Sequence, residues 1–354
     1  MNTRTRGAGT PTRATLADVA AEAEVSMSTV SKVLNGKSGV SGTTRARVEQ
    51  LLQAHGYSRR GSSQSSTLVE IVFNQLDSVW AIEIIRGVES VAHEYGMSAV
   101  VTLSGDRQSP GPEWIDGVMK RNPVGVILVF SGLSAAKKTQ LETRNIRFVI
   151  IDPSGDPAPD VPSIGSANWS GGVLAARHLI ELGHQRIAVI SGPDEMMSAR
   201  ARLSGFRSAM DLAGLDVPDE YIVRGEYHRE DGVTGGMQLL GLPDRPTAIF
   251  AGNDLQALGI YEAARTLGLS IPQDLSVVGY DDLDLAKWVG PPLTTVRQPL
   301  TEMAERATRL VLGVGGNDGS DNLRIELATD LVVRDSTASY PQEKASRGHS
   351  AAAD

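Results

Sequence analysis

Residues 16–36 read LADVAAEAEVSMSTVSKVLNG, and the spacing inside this stretch decides what the front of the chain is. Leu16, Val19 and Ala20 recur at helical spacing behind Thr15-Leu16-Ala17-Asp18, a pattern whose side chains satisfy the free amides of a helix start. A short turn, Glu24-Val25-Ser26, then offers Ser26 as the cap of a second helix. On that helix Val30, Val33 and Leu34 face inward, while Met27, Ser28 and Lys32 face outward. A third helix is expected from about Ser41 to His55, with Val48, Leu51 and Leu52 packed on the other two and Gly56 as a left-handed stop. Two helices joined by a tight turn, the second with a small, polar, positive outer face, form the arrangement that lays a helix in the major groove of DNA.

Residues 1–13 on one side have no hydrophobic periodicity and are expected to be disordered. On the other side, residues 58–67 include Ser58-Arg59-Arg60-Gly61-Ser62-Ser63-Gln64-Ser65-Ser66, which has nothing to bury and reads as a linker or hinge carrying two arginines. That leaves an all-α helix-turn-helix domain over 14–57. The chain's net charge of −8 conceals a split between the two parts. Residues 1–66 hold nine Lys and Arg against four Asp and Glu, and the remainder holds 25 against 38, so a basic head precedes an acidic body.

Beyond the linker, short apolar runs alternate with helical patterns. LVEIVF (68–73), SAVVT (98–102), VGVILVF (124–130), FVIID (148–152), IAVIS (187–191), AIFAG (248–252) and LSVVGYD (275–281) read as strands buried on both faces of parallel sheets. Helices are expected near 168–182, 199–213 and 253–267. The pattern gives a two-lobed α/β core over 68–335, followed by a polar tail, 336–354, expected to be disordered. No repeat of solenoid length is visible.

Composition narrows the function classes. With 41% apolar residues and no apolar run of about 18, the chain has no expected membrane span. It has no cysteine and no apolar signal segment near its start, which places it by expectation in the cytoplasm. Its six histidines show no metal-binding spacing, so no metal or cofactor is expected. Gly36-Lys37-Ser38 looks like the end of a phosphate-binding loop, but Ser31 stands where the first glycine is required and a helix, not a strand, precedes it. With no G-x-S-x-G elbow either, binding rather than catalysis is expected, and the chain is read as a non-enzyme.

The head resembles that of the LacI/GalR family of bacterial transcription regulators, whose Val-Ser-x-x-Thr-Val-Ser-basic pattern is met by Val25 to Lys32. The resemblance covers roughly 320 residues. In the core it includes Ile84-Ile85-Arg86-Gly87-Val88-Glu89, His178-Leu179 with Gly183-His184, the run Leu275 to Asp282, and PPLTTVRQ at 291–298. It implies a core similar to periplasmic sugar-binding proteins, two parallel-sheet lobes with crossings near 165, 296 and 328. The N-lobe would comprise about 68–165 and 297–327, and the C-lobe about 166–296 and 328–335.

By that resemblance Met27, Ser28 and Lys32 reach base edges, Ser26, Thr29 and Ser31 serve phosphates or structure, and Asn35 belongs to the same DNA-facing set. Lys32 departs from the arginine common at its position and offers a point charge rather than a bidentate fork. The family's hinge leucine has no counterpart between Tyr57 and Thr67, so Arg59 and Arg60 are the candidates there for minor-groove or phosphate contact. In the core the resemblance assigns ligand contacts to Trp80, Asp152, Arg202, Tyr227, Asn253, Asp281 and, at the cleft edge, Trp288, with Asp254 and Asp282 as helix caps. Carboxylates that accept from neighbouring hydroxyls, an arginine that donates and flat rings that cover C–H faces suit a sugar. A purine or other metabolite, and a plain solute-binding protein, remain the alternatives. The expected partners are double-stranded operator DNA, a small effector and a second copy of the chain, with effector binding closing the lobes and releasing DNA.

Overall fold

The computed structural model describes residues 16–34, 39–54, 66–76, 79–105, 112–130, 132–314 and 324–340. Contacts divide the chain between Ser66 and Thr67. The expected extension 1–13, the cap residue Thr15, the stop at Gly56 and most of the linker lie outside the described residues.

The first unit is three helices, α1 (Leu16–Glu22), α2 (Met27–Leu34) and α3 (Gly42–Ala54). Val19, Ala20, Ala23, Val30, Val33, Val48 and Leu52 form its core. Ser26 caps α2: its Oγ accepts from the Thr29 amide at 3.2 Å. Arg47 on α3 donates to the Glu22 carbonyl (3.4 Å) and pairs with Glu24 (3.5 Å), which fixes α3 against the turn. A core of seven small side chains has little to spare, and each one counts.

The second unit holds two six-stranded sheets. Strands β1 (Leu68–Phe73), β2 (Ser98–Leu103), β3 (Gly125–Val129), β4 (Arg147–Ile151), β5 (Ser163–Ser166) and β11 (Arg324–Leu327) make the first, in the order β11-β5-β4-β3-β1-β2, all parallel. Strands β6 (Ile187–Ser191), β7 (Ile222–Arg224), β8 (Ala248–Ala251), β9 (Ser276–Asp281), β10 (Thr294–Arg297) and β12 (Asp330–Val332) make the second, in the order β12-β10-β9-β8-β6-β7, parallel except for β12. Both faces of the inner strands are covered, which is why β3 and β6 are buried throughout and almost entirely apolar. The first lobe carries α4 (Val79–Glu94), α5 (Pro112–Arg121), α6 (Ala135–Thr143) and α12 (Leu300–Leu312); the second carries α7 (Asn168–Glu181), α8 (Met197–Leu212), α9 (Arg229–Leu240), α10 (Asp254–Thr266) and α11 (Leu285–Trp288).

The chain changes lobes three times, at Ser166–Asn168, at Arg297–Leu300 and at Leu327–Asp330. Its strands point their C-terminal ends at the gap the crossings span, the usual place for a ligand in an open α/β sheet. Close helix packing brings α8 to that gap: a Cβ at Gly172 would overlap the Arg202 carbonyl, and one at Gly205 the Trp169 carbonyl.

The tail expected to be disordered from 336 is packed as far as Tyr340. Val277 donates to the Ser336 carbonyl (2.9 Å), Ser336 Oγ donates to the Val277 carbonyl (2.6 Å) and accepts from the Thr294 amide (2.7 Å), and the Tyr340 amide reaches Leu182 (2.7 Å). The polar composition misleads here because Ser336 and Thr337 spend their hydroxyls on neighbouring backbone and on His178. Among the described residues, no helix is long and apolar enough to cross a membrane.

Candidate functional site

Two surfaces carry candidate chemistry, one on each unit. On the head, Ser26, Met27, Ser28, Ser31 and Lys32 are exposed and Thr29 is half-buried, while Val30 and Val33 are buried. Met27 is 59% exposed, a high value for an apolar side chain that could have turned into the core. Ser26 Oγ also lies 2.8 Å from Ser28 Oγ and 2.9 Å from Thr29 Oγ1, so three hydroxyls cluster at the amide end of α2, where backbone N–H groups attract anions. Asn35, Arg59 and Arg60 lie outside the described residues, as does the side chain of Leu34.

In the core, Arg202 is the centre of the cleft. It is 5% exposed, and its guanidinium lies 3.7 Å from the centroid of the Tyr280 ring. Nε donates to Asn168 Oδ1 at 2.8 Å and Nη1 to the Gly252 carbonyl at 2.6 Å, with Asp281 Oδ1 at 3.7 Å. Asp281 in turn accepts from Gln298 Nε2 (2.6 Å), Gln298 Oε1 accepts from Ser166 Oγ (2.9 Å), and the Ser166 carbonyl accepts from Asn168 (3.1 Å). The hydrogen bonds run from Asp281 through two of the three crossings back to Arg202. A buried charge without such partners would cost several kcal/mol, about 3–5 by the usual measure of a broken buried pair.

Burial drives the Asp281 carboxyl up to about 7, and the nearby Asp152 adds to the shift, against the opposing pull of Arg202 and Gln298. Burial likewise raises Asp152 to about 6, with Arg202 opposing. Both groups therefore titrate near neutrality, as carboxyls in binding sites often do.

The cleft itself has a volume of about 110 Å³ and is lined by Trp80, Arg202, Tyr227, Asn253 and Asp281 among the expected residues. Trp80 packs against Phe130, 4.3 Å between centroids with the planes tilted by 31°, giving the first lobe an aromatic wall. The Tyr227 ring sits where a Cβ on Gly192 would overlap it. Asn253 lines the cleft but its side chain is partly committed: Oδ1 accepts from the Gln256 amide (2.8 Å) as the cap of α10, and Nδ2 donates to the Tyr227 carbonyl (2.9 Å). Backbone strain concentrates at the same place. Phe130, Asp152, Tyr227, Asp281 and Asp282, all at or just beyond strand ends, have φ of +49°, +47°, +68°, +109° and +57°. Such conformations cost about 1–3 kcal/mol each and mark functional sites.

Three expectations need correction. Trp288 is 78% exposed at the end of α11 and lines neither cavity, because the short helix turns its ring to solvent. Asp152 faces an adjoining crevice rather than the cleft, because its strand, β4, lies nearer the crossings. Asp254 and Asp282 are not simple caps: Asp254 accepts from the Leu283 amide (2.8 Å) and Thr295 Oγ1 (2.6 Å), and Asp282 is paired with Arg297 and Arg334. Sequence reasoning also missed Asn168, Ser166, Gln298 and Tyr280. Gln298 ends the quoted PPLTTVRQ, which was a signal; Tyr280 reads simply as a core strand residue.

Comparison with known proteins agrees with this arrangement. The profile described as bacterial regulatory proteins, lacI family, matches residues 15–60, and that of a periplasmic binding protein-like domain matches 176–337. The HTH-type transcriptional repressor CytR of Escherichia coli (strain K12) is 34% identical over 338 residues, 93% of this chain and 98% of that protein. The structure of the transcriptional regulator CelR with cellobiose superposes with a TM-score of 0.68 at 30% identity, covering 92% of this chain and 100% of the other. The lac repressor dimer bound to operator and the anti-inducer ONPF gives 0.65 at 29%, again over 92% and 100%.

Proposed function

Because this chain belongs to the LacI family of bacterial regulatory proteins, we propose that it is a DNA-binding transcriptional repressor whose hold on its operator is set by a small sugar in the core cleft. The observation that carries the reading is Arg202. A fully buried guanidinium, held by Asn168, a carbonyl and an aromatic ring, next to a carboxyl that titrates near 7, is suited to a polyhydroxylated ligand at the strand ends.

Under this proposal two copies pair and present their α2 helices to successive major-groove faces about 34–36 Å apart. Met27, Ser28 and Lys32 read bases; Ser26, Thr29 and Ser31 position the helix on phosphates; Asn35, Arg59 and Arg60 extend the contact. Trp80, Arg202, Tyr227, Asn253 and Asp281 hold the effector. The domain limits we assign are a head at 14–57, a linker at 58–67 and a core from 68, now extended to Tyr340. The dimeric lac repressor on its operator and cellobiose in CelR support the partners proposed. Ligand exchange without turnover is the activity proposed for the cleft, in a protein that works in the cytoplasm.

The Trp80–Phe130 wall of the cleft favours a second reading, a purine or other heterocycle packed against these rings. One experiment addresses both. Thermal unfolding is recorded against pentoses, hexoses, β-linked disaccharides and purines, and each hit is added to an operator titration. A sugar that raises Tm and weakens operator binding is the expected result. A purine hit moves the reading to the second class, and no hit from either class overturns effector control through the cleft.

A further inference from the structure

The outer face of α2 presents Met27, Ser28, Ser31 and Lys32 to solvent, and these side chains differ in what they can recognise. Ser28 Oγ lies 2.8 Å from Ser26 Oγ. Ser26 Oγ also meets Thr29 Oγ1 at 2.9 Å and accepts from the Thr29 amide, so the hydroxyls at the start of the helix are engaged with one another and with its cap. Lys32 carries a compact charge that any electronegative edge or phosphate attracts. Met27 has neither a charge nor a hydrogen-bond donor, and its thioether is only a weak acceptor.

Exposure sets Met27 apart. Among the described residues of the head it is the one large apolar side chain open to solvent, while Val30 and Val33 on the same helix are buried in the head core. It is also the first residue of α2, the second helix of the helix-turn-helix. The N-terminal residues of that helix are the ones that reach base edges in the major groove. Base pairs present hydrogen-bond donors and acceptors there, and one apolar group, the C5 methyl of thymine. A long, unbranched, polarisable side chain can shape itself to a methyl group without demanding a hydrogen bond from the bases beside it.

We propose that Met27 reads the C5 methyl group of a pyrimidine, a thymine in unmodified DNA, once in each operator half-site. The inference rests on the DNA-binding reading of the head and adds the base chemistry that one residue selects. Its worth is that of burying one methyl group, about fourfold in affinity per half-site.

The duplex that the full chain selects from a randomised pool is the probe. Each thymine of its half-site, on either strand, is replaced in turn by deoxyuridine, which removes the methyl group and keeps every hydrogen-bonding group. Affinity is read by fluorescence anisotropy at fixed salt. At one thymine the wild type is expected to lose that fourfold and Met27→Leu to lose a similar factor, while Met27→Ala binds both duplexes equally. Should Met27→Ala bind too weakly to titrate, Met27→Gln, which keeps the length and replaces the apolar end by an amide, takes its place. 5-Methylcytosine carries the same methyl group, so each cytosine is methylated in a parallel scan. A gain there that the wild type shows and Met27→Ala lacks upholds the methyl contact and assigns it to that base. No position sensitive to its methyl group, or a sensitivity that Met27→Ala retains, overturns the proposal and leaves DNA binding by the head standing. A pool that yields no consensus overturns the DNA-binding reading itself, and the proposal with it.

Discussion

The head and the core keep their functional residues in opposite ways. On the head, Ser26, Met27, Ser28, Ser31 and Lys32 lie within seven residues of sequence, at the start and on the outer face of one helix, and are exposed. In the core, Trp80, Arg202, Tyr227, Asn253 and Asp281 come from five separate segments; all but the half-buried Tyr227 are buried, and Arg202 and Asp281 are oriented by Asn168 and Gln298. The head thus carries little strain and few buried polar bonds, whereas the cleft concentrates both. Damage to one should leave the other readable, and that independence can be tested.

The largest effect is expected from Arg202→Ala. Removing one partner of a buried charged set costs about 3–5 kcal/mol. Calorimetry of the variant should show a destabilised core and no effector-induced shift, with operator affinity of the folded fraction unchanged. A variant that still responds to effector would break the comparison at its centre. Leu52→Ala, in the head core, is the mirror image, with about 2–5 kcal/mol lost from a unit that has few side chains to compensate. Operator binding measured by fluorescence anisotropy should fail while the effector still raises the Tm of the core.

A third test uses pH. In the unfolded chain the carboxyls of Asp152 and Asp281 both titrate near 3.8; in the fold they hold their protons up to about 6 for Asp152 and about 7 for Asp281. The folded state binds more protons in that window, so the stability these groups contribute is present below pH 3.8 and is lost as pH rises through 6 and 7. His184 has the opposite sign: burial pushes it down to about 4 from 6.5, so its contribution is present above 6.5 and is lost as pH falls through 4. A hydroxylated effector that donates to Asp281 needs the ionised form. Its affinity, followed by titration calorimetry, should rise about tenfold per unit as pH approaches 7 from below and then level off. Operator binding by the head should show no step in this range at constant salt.

The smallest expected effect is on the head's surface. Ser26→Ala removes the cap of α2 and should cost about 1 kcal/mol of head stability, read from the head's unfolding transition.

The same contrast explains what the sequence could disclose. A recognition helix carries its exposed positions within one short stretch of sequence, so the residues around Ser26 are recognisable before any coordinates exist. The alternation of LVEIVF, VGVILVF and IAVIS with helical segments likewise places most strands, because strands buried on both faces must be apolar. Short strands such as β7, β11 and β12 escape, since three or four residues leave no pattern. Within the cleft, Asp281 at the end of β9 and Arg202 on α8, three residues before the Gly205-Phe206 pair, could be nominated by resemblance. Ser166, Asn168 and Gln298 could not, because a polar residue near a crossing looks like loop until its partner across the chain is known. Trp288 misled for the complementary reason: an aromatic beside a likely rim says nothing about which way a four-residue helix turns its ring.

The interleaving of the two lobes has a consequence for how the protein is made. Helix α12 supplies Met303, Ala304, Ala307 and Val311 to the core of the first lobe, and β11 closes the edge of the same lobe's sheet. On the ribosome that lobe begins at Leu68 but cannot be finished until Leu327 has been synthesised, with the second lobe already out except for β12 and the segment that follows it to Tyr340. The described core of the head is built only of residues from α1, the turn after it, α2, α3 and the stretch just before α3, so that core can form once α3 emerges. During each round of translation there is accordingly an interval in which a DNA-reading module exists without the sensor that will govern it, tethered to a growing chain.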